Sequence, residues 1–331
     1  MTVVLWLFLL AVLVAAGAVA WLVTERYGPE QETFVTIAPR ATTFRIGRQL
    51  EAAGVVRSQF VFDLVRFWKR GKLHAGEYRF SEPATVFEVD RRIVRGDIFF
   101  RTLVVPEGAN IYDIAARFEQ AKLGTRQNFL DAATEETNLI TDLDPQAKNL
   151  EGYLFPATYR FARKATASQV VAAMVRRFRQ EAAQLDLKGN IHHMVTIASL
   201  VERETAVDDE RPQVASVFEN RLAKKMPLET DPSVIYGLER ENRWGGQLRS
   251  NELAYDTPYN TYRHAGLPLG PIANPGLPSL RAAQHPAQTG YYYFVAASVN
   301  AQGRSLFAST LDEHNRNVAG FRRAQKQAGL R

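Results

Sequence analysis

From Val3 to Val23 the chain carries no charged side chain, and an uncharged apolar run of about twenty residues matches the hydrocarbon thickness of a bilayer. Residues 1–24 are therefore expected to form a single uncleaved transmembrane helix. The rival reading is a cleaved signal peptide with Ala18-Val19-Ala20 as its small-residue site. Signal h-regions, however, run to about fifteen residues behind a basic n-region, whereas here no Lys or Arg precedes the run and Trp21-Leu22-Val23 prolongs it. The flank holds both Glu25 and Arg26, so the positive-inside rule barely distinguishes the two orientations.

The rest of the chain is long enough to bury real cores. With 331 residues and 46% hydrophobic side chains, two folded units are expected. The net charge of +6 comes from basic residues spread along the chain. It favours anionic surroundings, and without a base-reading motif it does not point to nucleic acid. No cysteine is present, which excludes disulfides, thiolate metal sites and a cysteine nucleophile.

Tyr27-Gly28-Pro29-Glu30 breaks any continuing helix, so residues 25–32 read as a linker. A small module is expected over 33–104. Its elements are a strand at Phe34–Ile37, a helix capped by Thr42-Thr43 and stopped at Gly54, a second helix capped by Ser58 and running past Phe67-Trp68, and a strand over 75–80. A helix from Thr85 to Val94 and a strand from Ile98 to Val105 extend it, with its aromatic residues expected in the core. Beyond Val105-Pro106-Glu107-Gly108 the pattern predicts helices at Ile111–Ala121, Gln127–Ala133, a long one capped by Ser168, Ile191–Thr205 and Pro212–Lys225. A Gly- and Pro-rich loop region from Gly245 to Pro278 and a strand at Tyr291–Ala296 complete the chain. Helices and strands without regular alternation make the class α+β.

The chemistry concentrates at Ala198-Ser199-Leu200-Val201-Glu202-Arg203-Glu204-Thr205, where an apolar helical run ends in two carboxylates. An acid at the edge of an apolar surface can keep its proton near neutral pH, as a general acid must. Residues two apart on a helix point to nearly opposite sides, so Glu202 and Glu204 cannot share one cleft. Leu200 and Val201, one turn before Glu204, tilt the choice toward it; a solvated helix end with an ion pair remains the bland alternative. His192-His193 are adjacent rather than one turn apart and form no His-Glu-x-x-His pattern, so no metal site is expected. His285 and His314 read as hydrogen-bonded structural residues.

That segment, followed by Val214-Ala215-Ser216-Val217-Phe218-Glu219-Asn220-Arg221-Leu222, resembles the signature of the YceG-like family, the membrane-anchored endolytic murein transglycosylases. Further matches occur in order: Thr230-Asp231-Pro232-Ser233, Pro258-Tyr259-Asn260-Thr261-Tyr262, Gly266-Leu267-Pro268, Asn274-Pro275-Gly276, His285-Pro286 and Glu313-His314-Asn315. Upstream, Val105-Pro106-Glu107-Gly108 and Glu151-Gly152-Tyr153-Leu154-Phe155-Pro156 fit as well, and the small module is similar to the family's LysM-like region. The resemblance spans nearly the whole chain. It departs from the family pattern at Ala157, Glu229, Leu269 and Ser305.

The resemblance implies an anchor, a LysM-like βααβ module and a mixed α+β catalytic domain over 105–331. It makes Glu204 the catalytic residue and Glu202 a supporting carboxylate. The implied reaction cuts the β-1,4 bond between N-acetylmuramic acid and N-acetylglucosamine within a peptidoglycan strand and leaves a 1,6-anhydro end, with no cofactor. Asn220, Asp231, Tyr259, Asn260 and Tyr262 are candidates to line the glycan cleft, each with a bland alternative in a turn, a cap or the core. Placement on the outer side of the cytoplasmic membrane and cooperation with penicillin-binding synthases are also implied by the resemblance. A hydrolase using Asp208 or Asp231 to activate water, and a non-enzymatic glycan-binding scaffold, are the competing functions.

Overall fold

The computed structural model describes residues 2–69, 71–297, 303–327 and 329. Met1, where the expected anchor begins, and Arg331, where the expected catalytic domain ends, lie outside the described residues. The chain divides into two compact units, Met1–Arg101 and Thr102–Arg331.

The first unit opens with α1 (Thr2–Thr24), long and apolar enough to cross a membrane. Every side chain from Val3 to Trp21 is exposed, but Val23 is buried in the core of the adjoining module. Next come β1 (Thr33–Ile37), α2 (Thr43–Ala52), α3 (Gln59–Trp68), β2 (Gly76–Phe80) and α4 (Val86–Arg95). The two strands pair antiparallel with Val35 opposite Tyr78, and alternate residues of both point into a core with Ile46, Leu50, Phe62, Val89 and Ile93. The Thr42 hydroxyl accepts the Arg45 N–H at the start of α2. α4 is held by a capping box between Thr85 and Glu88 and stops at Gly96, which adopts the left-handed conformation.

Two expectations change here. Ser58 precedes α3 without making a side-chain cap bond. Phe67 and Trp68 end α3 facing outward rather than filling the core. Residues 25–32 are tied to the module: Tyr27 exchanges backbone hydrogen bonds with Ala84, the Arg26 guanidinium donates to the Pro83 carbonyl, and Glu25 pairs with Arg57 at 3.0 Å.

The boundary falls inside β3 (Arg101–Val104), which pairs with β4 (Thr158–Phe161) instead of extending the β1–β2 sheet. Between them lie α5 (Ile111–Gln120) and α6 (Arg126–Glu135), and after them α7 (Ala167–Gln184). Thr166, not Ser168, caps α7, because only Thr166 has Gln169 three residues on to complete a capping box. Then come α8 (Ile191–Glu204), α9 (Arg211–Ala223), α10 (Asp231–Arg240) and α11 (Leu277–Gln284), the hairpin β5 (Tyr293–Ala296) and β6 (Ser305–Ala308), and α12 (Leu311–Gln327). Two of these helices sit where the sequence reads as turns. In both α10 and α11 a proline occupies the first helical turn, where its missing N–H has no partner to lose. The result is a mixed α+β unit with one continuous core, and α8 runs through it with Val195 and Ile197–Val201 all buried.

Candidate active site

The segments around the candidate site are drawn together by a buried polar staple. The Asn274 side chain donates to Glu151 at 2.8 Å and to the Ala109 carbonyl at 2.9 Å, and accepts the Leu154 N–H at 2.8 Å. Glu151 also accepts the Ile111 N–H at 2.9 Å. Three stretches far apart in sequence, around Glu107, Glu151 and Asn274, thereby meet against α8. Ser199 joins them from the helix by accepting the Ile272 N–H at 3.1 Å.

Burial pushes the Glu151 carboxyl from about 4.5 up to about 8, outweighing the Ile111 N–H that favours its ionised form. Between those limits the folded chain holds a proton that the unfolded chain has released, so stability is expected to fall as pH rises through that window. The steepest slope is about 1.4 kcal/mol per pH unit. Glu151→Gln should flatten this slope, which urea midpoints measured across the window will show.

The two carboxylates at the end of α8 diverge as helical geometry requires. Glu202 points inward: one oxygen accepts from Arg211 at 3.2 Å and the other from the Gly276 N–H at 2.9 Å. Its pair with Arg211 is nearly solvent-free, and Arg211 also donates to Ser279 at 2.6 Å. Glu202 therefore clamps the ends of α8, α9 and α11 together. Glu107 lies close by, its pKa raised by burial and then by the charge of Glu202. Gly276 makes room for it, since a Cβ there would fall 2.0 Å from a Glu107 oxygen.

Glu204 points the other way, into an open cavity of about 330 Å³ walled by α9, the 228–231 turn, Tyr262, Phe294 and His314. Its carboxyl is crowded by protein on most sides yet reaches solvent through the cavity. Burial raises its pKa, and Asp231 raises it further; the Thr230 hydroxyl, Arg203 and Arg221 pull it back only in part. The Thr230 hydroxyl faces the carboxyl without a well-formed hydrogen bond. As the last residue of α8, Glu204 also sits at the negative end of the helix dipole, which disfavours the carboxylate. The site thus holds a protonatable acid beside an open volume.

Of the five candidate cleft residues, two share this cavity. Tyr262 donates its hydroxyl to Asp231 at 2.7 Å, and both line the wall near Glu204. Asn220 does not. It donates to the Thr289 and Tyr291 carbonyls, pinning the approach to β5. Tyr259 is buried against Tyr236. Asn260 is fully buried, with its amide donating to the Leu253 and Tyr255 carbonyls and its oxygen accepting the Tyr262 N–H. Asn260 therefore shapes the loop that presents Tyr262.

Arg221, Glu229, Thr230, Phe294 and His314 line the cavity although the sequence does not mark them as cleft residues. Arg221 is held by the Pro227, Leu228 and Tyr292 carbonyls and lies over the Tyr293 ring, so its charge is fixed in place. His314 stacks on Tyr293, with burial and then Arg221 lowering its pKa, which favours the neutral imidazole. Both belong to the matched motifs, which is a signal, but their convergence depends on α12 folding back on β5. His192 and His193 bind separate carboxylates, Asp144 and Glu219, each at 2.7 Å.

The YceG-like family model matches residues 35–320. An endolytic murein transglycosylase of Bacillus subtilis is 33% identical over 303 residues, covering 85% of this chain and 82% of the relative. One from Streptococcus pneumoniae D39 is 29% identical over 310 residues, covering 83% of this chain and 55% of that longer protein. Among solved structures, a YceG-like protein of Listeria monocytogenes matches with a TM-score of 0.56 and 30% identity, covering 87% of this chain and 99% of that one. The protein with the Glu204 cavity belongs to the YceG-like family.

Proposed function

We propose that this chain is a membrane-anchored endolytic lytic transglycosylase of peptidoglycan, with Glu204 as its single acid and base. The observation that carries this reading is a carboxyl with a raised pKa opening into a cavity at the end of a buried helix, in a chain whose curated relatives are named endolytic murein transglycosylases. Protonated Glu204 gives its proton to the glycosidic oxygen as the bond to muramoyl C1 breaks and oxocarbenium character develops. The muramoyl 6-hydroxyl then attacks C1, and the Glu204 carboxylate takes the hydroxyl proton. One C–O bond breaks and one forms, the proton returns to Glu204, and no water is consumed. Because the nucleophile belongs to the substrate, no second carboxylate is required.

Asp231 has a positioning role in this reading: burial is the main cause of the raised Glu204 pKa and the Asp231 charge adds to it, while the Tyr262 hydroxyl fixes the Asp231 carboxylate. Tyr262, Phe294 and the fixed Arg221 form the wall that a sugar chain would contact. The same reading takes Glu202 as the residue that holds the end of α8, the β1-α2-α3-β2 order as a LysM-like module, and α1 as an anchor with the catalytic unit outside the cytoplasmic membrane. Cooperation with penicillin-binding synthases on nascent strands belongs to the proposal as well.

One observation favours a second reading. Asp231 lies in the same cavity, where a hydrolase would place the base that activates water. Digestion of intact peptidoglycan in heavy-oxygen water separates the two. The proposal expects unlabelled products one water lighter than hydrolytic ones, whereas heavy oxygen at the new muramoyl end would establish hydrolysis.

A further inference from the structure

α1 does not end at a swivel. Val23 lies in the module core and Leu22 packs against it, while the Arg57 guanidinium sits 5.2 Å from the Trp21 ring and 5.1 Å from the Tyr27 ring. If α1 spans a bilayer, the stretch left for hydrocarbon runs from Val3 to Trp21, roughly 28 Å of helix against a core of about 30 Å. With Val23 already in its core, the module is then held at the membrane boundary where α1 leaves the bilayer.

One face of α3 is built for that boundary. Phe60, Leu64, Phe67 and Trp68 recur at helical spacing and share one side, and Phe60, Phe67 and Trp68 are 73, 78 and 80% exposed. The same edge continues into an apolar cleft of about 900 Å³ between α1 and the module, lined by Ala16, Val19 and Val23 together with Leu64, Trp68 and Phe87. At its rim Lys69 places its ammonium 4.5 Å from the centre of the Phe87 ring, so the stem lies along apolar surface with the charge at its end. Aromatic rings beside a cation are the pattern of a membrane–water interface, and an apolar helix face lying in that plane is how monotopic proteins bind.

We infer that the outer face of α3 and the adjoining cleft form a second membrane contact, seated in the phospholipid leaflet next to the C-terminal end of α1, with acyl chains filling the cleft. This goes beyond the catalytic reading and rests on α1 spanning the bilayer. Continuity argues for lipid rather than a protein partner, because Leu64 and Trp68 of the exposed face stand opposite the exposed surface of α1 across one cleft.

The absence of cysteine from the chain makes the test direct. Leu10→Cys, Leu64→Cys, Phe67→Cys and Lys148→Cys are introduced singly into the full chain. Each is spin-labelled and reconstituted into vesicles of phosphatidylethanolamine and phosphatidylglycerol, and collision rates with dissolved oxygen and with a water-soluble nickel chelate are compared. The expected result is an oxygen-to-nickel ratio at positions 64 and 67 several-fold above that at exposed Lys148 and on the side of Leu10. Water-like ratios at 64 and 67 with a lipid-like ratio at 10 would overturn the inference and leave the membrane span standing. A water-like ratio at 10 would overturn both. Exclusion of both reagents from 64 and 67 would mean a protein covers the face, which also overturns it.

Discussion

Glu204→Gln should abolish release of anhydro-ended fragments from peptidoglycan, with a loss of at least about a hundredfold and up to about ten-thousandfold, the usual range for removing a general acid. The amide fills the same volume and cannot supply the proton. Folding should not suffer: a carboxyl whose pKa is raised in the folded state destabilises that state once it ionises, so the neutral amide leaves stability equal or slightly higher at neutral pH. Product mass analysis and a thermal melt on the same sample separate loss of chemistry from loss of fold. A companion variant tests the electrostatics. Asp231→Asn removes a negative neighbour that raises the Glu204 pKa, so the acid should ionise at lower pH and the alkaline fall in rate should move to lower pH. A rate profile whose alkaline limb stays in place would remove Asp231 from the positioning role.

Gly152→Ala is the second large effect, and it acts on stability. Gly152 has φ of 88°, where a side chain is strained, and a Cβ there would lie 2.6 Å from Pro271 and 2.8 Å from Val195. Neither neighbour can move cheaply, because Val195 belongs to the buried face of α8 and Pro271 precedes the segment stapled by Asn274. Left-handed strain of about 1–2 kcal/mol and overpacking of about 1–3 kcal/mol together give roughly 2–5 kcal/mol. That is a large share of the ~5–15 kcal/mol that holds a typical domain folded. A fall in urea midpoint with an unchanged denaturant slope is expected, and a midpoint within error of the parent would refute the packing argument.

The parts of the fold legible in the sequence are those governed by nearby residues. Apolar periodicity locates α2, α5, α8 and α9 to within a residue or two, and the i+2 spacing is enough to send Glu202 and Glu204 to different surroundings. Local signals mislead where one residue type serves two purposes. Asp231-Pro232 and Leu277-Pro278 read as turns and loop, yet each proline occupies the first turn of a helix. Ser168 loses the α7 cap to Thr166, which has the reciprocal Gln. The strand expected to extend the small module pairs instead with a segment more than fifty residues away, a partner no local pattern can name. The cavity shows the same limit. Asp231 and Tyr262 meet across thirty-one positions, while Asn260, equally plausible in sequence, turns its polar atoms onto its own loop.

The buried end of α1 has a mechanical consequence. A helix whose last turns are locked into a folded core, with Arg57 between two of its flanking rings, behaves as a welded joint rather than a hinge. A spanning helix answers a thicker or thinner bilayer chiefly by changing its tilt, and through such a joint the strand-and-helix module must rotate by the same angle. If α1 spans the bilayer as proposed, membrane thickness thereby becomes an input to the orientation of the β1–α4 module.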